Sequence, residues 1–420
     1  MPLVALSLGT LLLALAVTAN PTVYKRSRAT LPMTRHVNEH STYNILQRDQ
    51  ARAQRLMTRG SVAPVNAEQS NTYNEDITNG VVTYTASIGI GTPPTNYSLI
   101  VDTGSSNTWV GAGKPFTPTS STTATGQVFQ VTYGSGSVLG LELSDTVRLT
   151  EDLILNGQSI GDAISATGFQ GVDGILGLGP TGLTEGTVVG LGGSITGTVP
   201  TVVDNACSNL DTCEIGIWFR PSASGESAGE IFYGGADRSK YTGEMDYTPI
   251  TDTSPASKYW GIDQSITYST SAQSILSLTA GIVDTGTTLI LLATDAFDAY
   301  REATGGVPDS GTGLLKLTPD QFNNLQSLFF NVGGVTFELT PDAQIWPVCL
   351  NEDIGGTSDS IYLVVNDLGQ NSGSGLDFIN GYTFLERFYS AYDTTNKRVG
   401  LATTPYTMAV VNNSTRCSGH

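Results

Sequence analysis

SLIVDTGSSNTWV, residues 98–110, is followed 182 residues later by AGIVDTGTTLILL, residues 280–292. In each stretch an apolar run ending in Ile-Val leads into Asp-Thr-Gly, and a second apolar run follows. This pattern predicts a strand, a tight turn carrying a carboxylate, and another strand. Repetition of the turn with its flanks predicts two related halves. A chain of 420 residues has material for two cores, because a single core seldom grows past about 250–300 residues.

The composition is 39% apolar and 14% charged, with 48 glycines. Short apolar runs punctuated by Gly, Ser and Thr predict a mostly β protein. The run ALSLGTLLLALAV (5–17), followed by small residues to Ala19, predicts a signal peptide over residues 1–19, although no Lys or Arg precedes it. The run is short for a bilayer span, and the C-terminus has no apolar tail for a lipid anchor. The expected location is therefore secreted, extracellular.

Charge divides what remains. Residues 20–70 contain Lys25, Arg26, Arg28, Arg35, Arg48, Arg52, Arg55 and Arg59 against Glu39, Asp49 and Glu68, a net of +5. Residues 71–420 contain the other twelve Lys/Arg and thirty-five Asp/Glu, a net of −23. A basic leader before an acidic body on a secreted chain predicts a propeptide over 20 to about 70. The acidic body disfavours nucleic acid and anionic membranes as partners.

Histidine is the informative absence. His36 and His40 lie in the leader and His420 is the last residue. The body therefore has no internal imidazole for Ser-His or Cys-His chemistry or for a His-based metal site. Cys207, Cys213, Cys349 and Cys417 are too scattered for a zinc cluster. GIGTPP, YGSGSVLG and GILGLG lack the spacing of a phosphate loop and read as turns and tight β packing. No metal or other cofactor is expected. Carboxylates remain as the chemical groups. Two held close together cannot both ionise easily, so they share a proton and titrate as a pair. Such a pair can take a proton from water and give one to a carbonyl.

From about residue 80 to residue 405 the chain resembles the pepsin-like aspartic proteases, most closely the secreted type of basidiomycete fungi. The motifs occur in family order: VDTGSSNTWV with Asp102 and Trp109, VTYGSGS with Tyr133, VDGILGLG (172–179), IVDTGTT with Asp284, and DFINGYTFLERFYSAYD (377–393). The resemblance implies a bilobal fold of two antiparallel β lobes with few short helices, the N-terminal lobe over 71–246 and the C-terminal lobe over 247–420 with a short extension. YTGEMDYTPI (241–250) would cross between them. It implies an acid endopeptidase in which Asp102 and Asp284 hold the attacking water. Thr103 and Thr285 would bond into the opposite loop, and Gly104 and Gly286 would allow close backbone approach. Ser105 and Thr287 would bond the outer carboxylate oxygens.

VTYGSGS would be a flap closing over substrate. Tyr133, Gly134 and Ser135 would lie at its tip, with Trp109 as hydrogen-bond partner of the tyrosine. Ile100, Ile175 and Tyr259 would line apolar substrate pockets. The implied partners are extended protein or peptide substrates and pepstatin-type inhibitors, on a monomer. Zymogens of this family set a lysine against the dyad. Here Lys25 is the only leader lysine, so an arginine is the expected substitute. Competing readings are an inactive homologue serving as a binding or inhibitor module, and a glycoside hydrolase, which has no need for two DTG turns.

Some features depart from pepsin. Asn380 stands in FING where pepsin has an apolar residue and must find polar partners, and the loop between Trp109 and the flap has no cysteine pair. A short loop in an oxidising compartment predicts a Cys207–Cys213 disulfide, leaving Cys349 to Cys417 by elimination. Sequons stand at Asn96, Asn412 and Asn413, the last two favoured because Asn96 falls in a predicted strand. The expected helices are PTVVDNACSNL (200–210) and TDAFDAYREATGG (294–306), the second capped by Thr294 and ended by Gly305.

Overall fold

The computed structural model describes residues 28–38, 44–58, 81–134, 136–190, 193, 197–224 and 227–417. The expected signal peptide, Lys25 and Ser135 lie outside the described residues.

Among these residues the chain is mostly β, as the repeated apolar runs require. Strands Thr242–Pro249, Arg398–Thr403, Phe388–Asp393, Glu214–Phe219, Ser227–Tyr233 and Ala29–Asn38 are hydrogen-bonded in that order, so both halves of the chain and the leader share one sheet. That sheet continues through Val81–Ile90 into the first half, while the second half adds a seven-stranded and a three-stranded sheet. The expected crossing segment is the edge strand Thr242–Pro249, antiparallel to Arg398–Thr403.

Most pairs are antiparallel, as expected, but the strands carrying the two DTG turns depart from this. Thr95–Asp102 runs parallel to Gly174–Gly177, and Gln273–Val283 runs parallel to Phe378–Asn380. The reason is topological. Strands flanking a turn run in opposite directions. Gly174–Gly177 is inserted between the two that flank the first DTG, and Phe378–Asn380 between those flanking the second. An inserted strand must be parallel to one neighbour and antiparallel to the other. Each aspartate thereby sits at the end of a central, fully hydrogen-bonded strand, 1% exposed at Asp102 and 0% at Asp284.

The expected helices form at Val202–Cys207 and Thr294–Thr304. Thr201 caps the first: its hydroxyl accepts the Asp204 N–H, and the Asp204 carboxylate accepts the Thr201 N–H. Gly305 ends the second at φ 70°, in the left-handed region that suits glycine. Thr294 does not cap it. Ala293 holds that position, so Thr294 is the first residue inside the helix, and its hydroxyl donates to Asp367 Oδ1 at 2.7 Å. Residues Ile45–Thr58 form a helix that the sequence reading left unassigned.

Both disulfides form as expected, Cys207–Cys213 and Cys349–Cys417. The second anchors a C-terminal tail that Asp342 also holds, its carboxylate accepting the N–H groups of Val411, Asn412 and Asn413. This separates the overlapping sequons. Asn412 is buried and its Nδ2 donates to the Ile345 carbonyl at 2.8 Å, so a glycan there would break a buried bond. Asn413 is exposed. Glycopeptide mapping of the protein expressed in a glycosylating host is expected to find the C-terminal glycan on Asn413, and Asn413→Gln to remove it. A glycan on Asn412 would contradict the fold of the tail.

Candidate active site

The two DTG turns face each other and are locked together symmetrically. The Thr103 N–H donates to the Thr285 hydroxyl and the Thr285 N–H to the Thr103 hydroxyl, both at 3.0 Å. Each hydroxyl donates onward to a carbonyl of the opposite strand, Thr285 to Val101 at 2.9 Å and Thr103 to Val283 at 3.4 Å. These bonds are buried, where such pairing is needed to offset desolvation. Glycine is required after each threonine. A Cβ on Gly104 would come within 2.6 Å of Asp284 Oδ1, and one on Gly286 within 2.5 Å of Asp102 Oδ1. The two carboxylates therefore approach one another across glycine backbone.

Each acid has the same surroundings. The Ser105 hydroxyl donates to Asp102 Oδ2 and the Thr287 hydroxyl to Asp284 Oδ2, both at 2.5 Å. The Gly104 N–H donates to Asp102 Oδ1 at 2.9 Å and the Gly286 N–H to Asp284 Oδ1 at 3.1 Å.

The space between the acids is occupied by the leader. Arg52, on the helix Ile45–Thr58, donates from Nη2 to Asp102 Oδ1 at 2.5 Å and to Asp284 Oδ1 at 2.9 Å, and from Nε to Asp284 Oδ2 at 2.7 Å. One guanidinium nitrogen thus reaches an oxygen of both carboxylates. Burial works to raise the pKa of Asp284, but Arg52, the Thr287 hydroxyl and the Gly286 N–H outweigh it and hold the carboxyl below its usual range. Burial alone would lower the pKa of Arg52; the two carboxylates overcome this and hold its proton more firmly.

Arg48 and Arg55 lie on the same helical face, at i−4 and i+3 from Arg52. Arg48 Nη2 donates to the Thr288 hydroxyl, and Arg55 Nε to the Thr132 carbonyl at 3.1 Å. Between them, buried Asp49 accepts the N–H groups of Thr288 at 2.9 Å and Leu289 at 2.8 Å. The helix is stitched to both halves of the site and to the hairpin strand. Arginine in place of the family's lysine was expected; its identity as Arg52 was not assigned by sequence. Asp49 and Arg48 were missed. The helical pitch that places 48, 52 and 55 together was the available signal.

Thr123–Thr132 and Ser137–Arg148 form the expected hairpin, closed by the Tyr133 N–H to the Gly136 carbonyl at 2.7 Å. Trp109 Nε1 donates to the Tyr133 hydroxyl at 2.9 Å. Tyr133 is not an exposed tip: it is 7% exposed, edge-on to Phe169. The leader helix lies directly on the hairpin, so closely that a Cβ on Gly134 would fall 2.0 Å from the Arg52 Cα. Ile100, Ile175, Tyr133 and Phe169 line one recess with Asp102. Tyr259 is not among its lining residues. It packs in the main core, and its hydroxyl donates to the Leu56 carbonyl of the leader helix at 2.8 Å.

Fold and site together define an aspartic-type endopeptidase. The chain belongs to the eukaryotic aspartyl protease family, whose model matches residues 83–404. It is 58% identical to polyporopepsin of Irpex lacteus over 338 residues, covering 80% of this chain and 98% of that protein. The crystal structure of an aspartic proteinase from Irpex lacteus superposes with a TM-score of 0.77 at 50% identity, covering 92% of this chain and all of that one. Gastricsin of Cavia porcellus is 31% identical over 76% of this chain and 80% of its own length.

Proposed function

We propose that the protein is a secreted acid endopeptidase made as a zymogen, with residues 1–19 as signal, 20 to about 70 as propeptide, and two lobes meeting near residue 246. Asp102 and Asp284 share a proton and hold the attacking water between them. The ionised carboxylate takes a proton from that water as it attacks the scissile carbonyl, and the other acid protonates the carbonyl oxygen. The resulting diol collapses with proton transfer to the leaving amine, and no covalent enzyme intermediate forms. The observation that carries this reading is Arg52, whose one nitrogen bonds both Oδ1 atoms. A point within reach of both acids is where a shared water belongs.

The leader helix fills the groove in which an extended peptide would lie, adding backbone bonds as a further strand. The same groove accepts pepstatin-type inhibitors. Among the described residues no helix is long and apolar enough to cross a membrane. The rival reading, an inactive binding module, is disfavoured because both acids and their hydroxyl partners are present. The full-length protein is expected to be inert at pH 7. On acidification it should convert to a chain beginning between about residues 60 and 80, as carboxylates that hold the leader protonate. The product should digest denatured haemoglobin and be inhibited by pepstatin. A precursor fully active at pH 7 would sink the zymogen reading.

Tyr133 separates rate from stability only through the right substitution. Its burial against Phe169 makes Tyr133→Ala costly to the fold, by about 3 kcal/mol. Tyr133→Phe keeps the ring and loses the bond from Trp109, about 1 kcal/mol. With the flap role proposed here, Tyr133→Phe should lower kcat/KM about tenfold, by freeing the ring from its fixed rotamer. Unchanged kcat/KM would make Tyr133 a packing residue.

A further inference from the structure

The two halves of the site match strand for strand, except beneath the second aspartate. Val101, which precedes Asp102, pairs with Leu176; Val283, which precedes Asp284, pairs with Asn380. Two residues before each acid, Ile100 pairs with Thr85 and Ile282 with Gly261. Counting three residues on along each neighbouring strand, Ile88 in the first half corresponds to Gln264 in the second. All four side chains, Ile88, Leu176, Gln264 and Asn380, are fully buried. The first half thus fills this layer with two aliphatic residues and the second with two amides.

The amides satisfy each other. Gln264 Nε2 donates to Asn380 Oδ1 at 3.2 Å, and Asn380 Nδ2 donates to Gln264 Oε1 at 2.9 Å. The backbone carbonyl of the same Asn380 accepts the Asp284 N–H at 3.1 Å. Packing alone does not call for this arrangement, since aliphatic side chains fill the equivalent layer. Burying amides is costly unless they are paired. An amide pair has directional geometry that an aliphatic contact lacks, and fixes strand Phe378–Asn380 against strand Gly261–Tyr268.

We infer that the Gln264–Asn380 amide pair is a positioning device for Asp284. It holds the peptide that anchors the Asp284 N–H, and so sets the position of the second acid by a device that the first half lacks. The inference rests on Asp284 being one of the two catalytic acids.

The test installs the first half's solution in the second. Gln264→Ile with Asn380→Leu, in the full chain assayed at acid pH, leaves no unpaired amide. Tm is expected to stay within a few degrees of the parent. kcat should fall about tenfold with KM within about twofold, and the acid limb of the pH–rate profile should shift. Gln264→Glu is the near-isosteric control. Its neutral acid keeps one donor and one acceptor toward Asn380, so kcat at acid pH should stay within about twofold of the parent. Once ionised it has no donor, so the alkaline limb should fall earlier. If the double variant keeps the parent kcat and pH profile, the pair is only packing and the inference fails. If the double variant does not fold, Gln264→Glu decides alone, and a parent-like alkaline limb overturns the inference. Asp284→Asn, run alongside, separates the two levels: an active Asp284→Asn would refute the dyad itself, whereas an inactive one beside a parent-like double variant refutes only the amide role.

Discussion

Asp102→Asn, and separately Asp284→Asn, is expected to abolish peptide cleavage while leaving the fold intact. The volume hardly changes, and the bonds around each acid show how an amide fits. The Gly104 N–H and the Ser105 hydroxyl both donate to Asp102. In the asparagine the carbonyl oxygen can face Gly104, whose N–H has no alternative role. The amide nitrogen then faces Ser105, whose hydroxyl can turn to accept. The same holds for Gly286 and Thr287 around Asp284. Tm should therefore move little. The chemistry has no such escape, because an amide can neither take the proton of the water nor share one with its partner. The loss should reach at least the roughly 10²–10⁴-fold range of a lost general acid–base group. Activity is read as kcat/KM on a chromogenic peptide, after mass spectrometry has excluded deamidation. Substantial residual activity in either variant would mean the dyad is misassigned.

Arg52→Ala is expected to unlatch the precursor. Arg52 is the only described cation bonded to both acids, and it is nearly buried with them. Removing one partner of a buried charge cluster costs about 3–5 kcal/mol, enough to shift the latched population by more than 10²-fold. The direction of the pH dependence follows from Asp284. Its pKa is lowered while the leader is docked. That contribution to docking is fully present above the ordinary carboxylate pKa and is lost as pH falls through the lowered value. Asp49 acts with the opposite sign. Burial raises its pKa despite Arg48 and the N–H groups of Leu289 and Thr288, so its contribution is greatest at low pH and fades as pH rises. In the proposed zymogen, acid release would therefore be set by the Arg52 cluster and resisted by Asp49. Arg52→Ala should convert at a pH at least about one unit higher than the parent, followed by gel electrophoresis across a pH series. Arg52→Lys should fall between, since it keeps the charge but loses the fork that spans both acids. Unchanged conversion in Arg52→Ala would place the latch elsewhere on the leader.

The chemistry of this site was legible because it is local. Each DTG turn carries its acid, its glycine and its hydroxyl within four residues, and a strand-turn-strand pattern announces itself over about a dozen. The motifs at 172–179 and 377–393 were marked by resemblance, but their insertion beside the DTG strands was not stated by the apolar runs. The helix ends were partly legible: Gly305 stops a helix by its own backbone freedom, whereas the helix begins at Thr294 itself and leaves Ala293 at the cap position. The two C-terminal sequons could not be told apart by sequence, because Asn412 and Asn413 are neighbours and the bond to the carbonyl of Ile345 distinguishes them. Tyr133 lies on the expected hairpin, and its burial was not legible because Phe169 and the leader helix come from elsewhere in the chain. What the sequence determined by itself was composition, strand periodicity, the two acids and the basic leader, all of them properties of contiguous residues. Which arginine meets both acids, which strand slips between the arms of each turn, and which two amides find each other beneath Asp284 were decided only by the tertiary structure. Those contacts join residues 50 to 232 positions apart, and nothing in the local pattern states a distance across space.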